Sequence, residues 1–212
     1  AGRYFWPPIA ELGDLERDHI LATPAFGMYL GFLLTTVLAL VSVAYHRPWQ
    51  FGLAAPVGKI WWAFLPLAAL CGMVGGIAPP SLPPEITPAW GIWLLGLLMM
   101  PVALELLFRS LVHGLLAQSA RISRPKSPIL LSWPLLGASL LFAGFALWHT
   151  ASVVSLALIM ERPLSLLQPV FGAFLLGLVL GVVRERSQSI IPPIIFHMIA
   201  VGAMLAVPHI AF

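Results

Sequence analysis

Glu105, Arg109, His113, His149 and His197 fall inside long apolar runs, whereas most other charged residues sit in the polar stretches between those runs. A Glu or Arg near the centre of a bilayer costs about 2.5–3.5 kcal/mol on insertion scales, so such residues persist where they are paired or where they act. Glu105 and Arg109 are spaced i and i+4 with the acid on the N-terminal side, so their side chains can meet on one helix face. His113 follows one turn further along that face. One carboxylate, one guanidinium and two histidines from three different helices are what water activation inside a membrane requires. The carboxylate orients or deprotonates the water, a neutral histidine shares it, and the second histidine donates to a developing oxyanion.

Each of these residues also has a purely structural role open to it. A Glu105–Arg109 salt bridge could fix helix packing and do nothing else. His149, ending Phe145-Ala146-Leu147-Trp148-His149, could be an interfacial histidine, while His197 in Ile194-Ile195-Phe196-His197 lies deeper in its run. His19, His46 and His209 lie at loops or ends, where a solvated histidine is the default. Glu and His are also ligands for divalent metals, but the sequence has no His-Glu-x-x-His spacing. A single intramembrane histidine is weak evidence for an axial tetrapyrrole ligand. No metal and no cofactor are therefore expected.

The elements that position these side chains are legible from composition. Charged residues make up 9% of the 212-residue chain and hydrophobic ones 60%, and the mean hydropathy is +0.97. Soluble domains carry about a quarter charged residues, so this composition excludes a soluble surface and implies an all-α polytopic transmembrane bundle. Apolar runs bounded by charge or Pro/Gly clusters predict six spans near 25–45, 60–77, 89–116, 129–158, 170–183 and 190–207. The fourth run is too long for one straight span and is expected to continue into a short helix after His149. The fifth is short, and an earlier start near Leu164 would complete it. Residues 1–24 form a separate surface-lying or poorly ordered segment, with aromatic Tyr4-Phe5-Trp6 followed by an amphipathic stretch; 25–212 form the membrane domain. Residues 1–23 lack the basic-then-apolar order of a signal peptide.

Net charge is +3, yet the basic residues are scattered between apolar runs, which argues against a nucleic-acid partner and for membrane topology. Arg47 and Lys59, then Arg121, Arg124 and Lys126, then Arg184 and Arg186 fall in alternate connections, opposite Arg3, Arg17 and Arg162. The excess of Lys and Arg marks the cytoplasmic side, so both termini are expected outside the cytoplasm. Pro79-Pro80-Ser81-Leu82-Pro83-Pro84 reads as a stiff extracytoplasmic turn. Gly27-x-x-x-Gly31 and Gly177-x-x-x-Gly181 offer close helix approach, a spacing that also arises by chance in a Gly-rich apolar chain. The lone Cys71 reads as a small buried hydrophobe.

Three blocks in order resemble the CAAX protease and bacteriocin-processing (Abi) membrane endopeptidases, over about residues 89–207. The first, Leu104-Glu105-Leu106-Leu107-Phe108-Arg109-Ser110, is similar to that family's Glu-Glu-x-x-Phe-Arg-Gly. Phe145-x-x-x-His149 matches its Phe-x-x-x-His. The third block runs from Phe174 through Gly177, Gly181 and Arg186-Ser187-Gln188-Ser189-Ile190 to Pro193-Ile194-Ile195-Phe196-His197. The resemblance implies a bacterial cytoplasmic membrane protein whose site comprises Glu105, Arg109, His149 and His197. In the family the first Glu and the second-block His activate water. The third-block His, with an Asn or Asp four residues later, steadies the oxyanion.

Here Leu104 stands at the water-activating Glu and Val201 at the Asn or Asp. Neither can move a proton or donate a hydrogen bond, and losing such groups removes about two to four orders of magnitude each. The resemblance thus implies a catalytically impaired member that binds membrane lipids and either another membrane protein or a lipid-modified or leader peptide. An active endopeptidase in which Glu105 replaces the missing acid is the alternative; an adjacent helical residue points about 100° away, so the site would have to be rebuilt. A transporter or proton-relay subunit is a third reading, weakened by the lack of inverted repeats.

Overall fold

A computed structural model describes residues 24–45, 47–76, 94–119, 132–153 and 164–210, all helices, turns and connections with no strand among them. Six helical rods follow one another: α1 (Pro24–Ala44), α2 (Leu65–Gly76), α3 (94–119), α4 (Trp133–Val153), α5 (Leu164–Ser187) and α6 (Ile191–Ile210). They coincide with the six expected spans. α2 is entered through a 3-10 turn, Ile60–Phe64, and α5 does begin at Leu164. α4 runs through His149 without a break to Val153. The N-terminal segment, the proline-rich turn and the basic residues Arg121, Arg124 and Lys126 lie outside the described residues.

α3 is not a uniform α-helix. Leu94–Met99 and Leu106–Val112 are wound as π-helix, alternating with α-helical Met100–Glu105 and His113–Ser119. Glu105 and Arg109 therefore sit on either side of an α-to-π change, and π turns are frequent at functional positions.

Local chemistry sets the helix ends. Ser132 caps α4, its Oγ accepting from the Leu135 amide at 3.2 Å. α6 opens with Pro192 and Pro193, in a first turn whose amides have no helical partner to lose. The short α5–α6 connection places Gln188 in the left-handed region at φ 54°. Ser187 supports it, its Oγ donating to the Ser189 carbonyl at 3.0 Å.

α6 packs along α2 and α5 along α4, the two most extensive helix pairs. Apolar clusters fill the spaces between the rods: Ala68, Val179, Leu180, Val183 and Phe196 join α2, α5 and α6, while Ala103, Leu104, Phe108 and Phe142 join α3 and α4. The α1–α2 connection folds inward at Phe51, which is fully buried against Leu40, Ala44, Leu106 and Leu111. Gly114 makes room for that ring, since a Cβ there would lie 2.4 Å from it.

The glycines separate by contact. Gly181 faces Leu135 of α4, and a Cβ on Gly72 would stand 2.0 Å from the Ala200 carbonyl oxygen of α6, whereas Gly27 and Gly31 have nothing within 4 Å. Of the two Gly-x-x-x-Gly pairs, only the second marks a helix crossing. Gly72→Ala should therefore destabilise the protein by about 1–3 kcal/mol or more, while Gly31→Ala should be neutral or stabilising by up to about 1 kcal/mol. Thermal unfolding of the two purified variants checks this, and equal melting would rule out the close α2–α6 crossing.

Candidate functional site

Four helices contribute to one buried polar group. α3 supplies Glu105 and Arg109, both at 0% exposure, and α6 supplies His197 at 2%. The Glu105 carboxylate is held from two sides. Its Oε1 accepts from His197 Nδ1 at 2.8 Å, and its Oε2 faces Arg109 Nε at 3.8 Å. The second distance is an ion pair without a hydrogen bond. Because a carboxylate only accepts, Nδ1 of His197 carries the proton of the shorter contact, which assigns Nε2 as the ring nitrogen left for other work.

Arg109 is steadied by α4 and α5. Its Nη1 reaches the Ala138 carbonyl at 3.5 Å, and its guanidinium carbon lies 5.2 Å from the centroid of the Phe142 ring. The edge-on contact between Phe142 and His197, 5.9 Å between centroids, closes the circle. On α5, Gly177 leaves space for the guanidinium: a Cβ there would stand 3.0 Å from Arg109 Nη2 and 3.2 Å from Ser139 Cβ. Ser139, fully buried on α4, thus lies next to the arginine.

The structure brings Glu105, Arg109 and His197 together. His149 belongs to the last turns of α4, and its side chain lies outside the described residues. His113 does not join the group, despite following Arg109 on α3. Its Nε2 pairs with Glu185 Oε1 of α5 at 3.2 Å, and Ser132 Oγ donates to the same oxygen. This second polar cluster centres on Glu185, in the last turn of α5. Arg184, expected among the loop charges, is 4% exposed in the same turn. Its Nη2 donates to the Gln50 carbonyl at 2.8 Å, a connection that a count of loop charges does not contain. Phe142, Ser139 and Glu185 carried no spacing signal either. Cys71 is half-buried and free. No group of three or more His, Cys, Asp or Glu suited to a metal occurs among the described residues.

Leu104 is 4% exposed within the α3–α4 apolar cluster, and Val201, one turn after His197, is 5% exposed. The family model of the Rce1-like type II CAAX prenyl endopeptidases matches residues 86–202, more than half of the 212-residue chain. The chain belongs to this family. The matched part of this Rce1-like chain holds α3, α4, α5 and most of α6, and with them Glu105, Arg109, His149 and His197. Rce1-like proteins are membrane-embedded, and among the described residues Leu97–Ser119 is the one helix long and apolar enough to cross a membrane. No curated protein and no solved structure matches the chain.

The geometry makes Arg109 the charge partner of Glu105 in this buried group. Arg109→Ala should cost about 3–5 kcal/mol, because a buried carboxylate then loses its guanidinium. The melting temperature of the purified variant measures it; unchanged melting and yield would mean that the pair contributes nothing to the fold.

Proposed function

We propose that this chain is a polytopic membrane protein that retains the CAAX-endopeptidase scaffold but is impaired in peptide hydrolysis, and that it serves as a binding or scaffold subunit. Its partner is another membrane protein or a lipid-modified or leader peptide. The observation that carries this reading is the engagement of Glu105: with His197 Nδ1 at 2.8 Å there is no room for a water between them. The neighbouring place that would present a water-activating carboxylate holds Leu104, packed against Ala103, Phe108 and Phe142.

Placement in the membrane is supported by the outer surface. Every helix exposes large apolar side chains, including Leu38 and Val41, Leu67 and Leu70, Leu98 and Leu115, Leu140 and Trp148, Leu167 and Phe171, and Ile191 and Ile195. Such a surface is suited to lipid rather than water. Exposed Arg47, Lys59 and Arg186 share one end of the bundle, which is taken as the cytoplasmic face of a bacterial inner membrane with both termini on the other side.

One observation favours the alternative of an active endopeptidase using Glu105, His149 and His197. A histidine oriented by a buried carboxylate is the arrangement of a general base with its positioning acid. Cleavage assays on prenylated and leader peptides separate the two. The unaltered chain should turn over at least about two orders of magnitude more slowly than its relatives, and Leu104→Glu with Val201→Asn should raise the rate. Each change adds a polar group to an apolar interior, so the melting of the double variant is measured alongside. Robust cleavage by the unaltered chain, lost in Glu105→Gln or His149→Ala, would reject the scaffold reading in favour of the protease.

A further inference from the structure

We infer that the end of the bundle formed by the α1–α2 connection, the start of α4 and the α5–α6 turn is a binding surface for anionic phospholipid headgroups. Three backbone and side-chain ties hold these segments together. The Val57 amide donates to the Ser187 carbonyl at 2.8 Å and the Ile190 amide to the Gly52 carbonyl at 3.0 Å, while Arg184 Nη2 donates to the Gln50 carbonyl. Gly52 is required at this junction, with φ 73° and no room for a Cβ, which would stand 2.4 Å from Arg184 Nε. Ser132, hydrogen-bonded to Glu185, brings the first turn of α4 to the same place. The connection is thus a fixed plate anchored by buried Phe51 rather than a free loop.

Its outward side chains combine positive charge with amphipathic rings. Arg47, Lys59 and Arg186 are exposed, and so are Tyr45, Trp49, Trp62 and Trp133. Lys59 lies two residues from Val57, which is bonded to Ser187, itself adjacent to Arg186; Trp133 follows Ser132. The acid at this end, Glu185, is drawn inward by His113 and Ser132, and no acidic side chain is exposed among the described residues. Tryptophan and tyrosine settle at the headgroup level of a bilayer, and Lys or Arg held there attract anionic lipids. Buried Arg184 is used internally, so the surface charge resides in the three exposed residues.

The inference rests on the membrane reading above. The full-length protein is reconstituted in phosphatidylcholine vesicles with and without phosphatidylglycerol, and lipid retention on the purified protein is compared by native mass spectrometry. At low ionic strength phosphatidylglycerol should bind at least about tenfold more tightly than phosphatidylcholine, a preference that weakens as salt is added. The triple variant Arg47→Gln, Lys59→Gln, Arg186→Gln should lose it, while Arg47→Lys with Arg186→Lys should keep it. Equal retention of the two lipids, or a preference surviving in the triple variant, overturns the lipid surface and leaves the membrane reading standing. Recovery of the unaltered chain in the aqueous phase with both vesicles overturns both.

Discussion

Glu105 is fully buried, and moving a carboxylate out of water costs several kcal/mol unless charge and hydrogen bonds offset it. Much of the arrangement around α3 follows from that requirement. His197 must come within hydrogen-bond reach from α6, and Arg109 must stay on the same face of α3. The guanidinium then imposes demands of its own. It lies over Phe142 and leaves α5 only a glycine's worth of space at Gly177. Four helices therefore meet around this one carboxyl group and its guanidinium partner.

A second polar arrangement closes one end of the bundle without sharing any residue with the first. Arg184, Glu185, His113 and Ser132 are linked across α3, α4, α5 and the α1–α2 connection. Beside the first, Leu104 and Val201 are buried and apolar.

The six rods were readable because runs of apolar residues in this chain are broken by charge and proline. The Glu105–Arg109 pair was readable because i and i+4 are neighbours on any helix. His197 could be singled out by its depth in an apolar run, although nothing in the spacing said that Glu105 would be its partner. Arg184 could not be read: a charge three residues from a helix end looks solvated until the connection that covers it is known. Gly72 was equally silent, since a crossing is made by two helices and a sequence describes them one at a time. The two Gly-x-x-x-Gly pairs show the same limit, being alike in pattern and opposite in environment.

The π-wound stretch Leu106–Val112 bears on how this chain can diverge. A π turn holds a surplus residue relative to an α turn, closing its hydrogen bonds on the fifth residue rather than the fourth. Deleting one residue there can convert π to α without breaking the helix. The surplus residue is taken up within that turn, so the segments on either side keep their orientation. An insertion or deletion of one residue there is therefore absorbed within the turn, so this helix can change length between descendants while the side chain presented toward α6 stays the same.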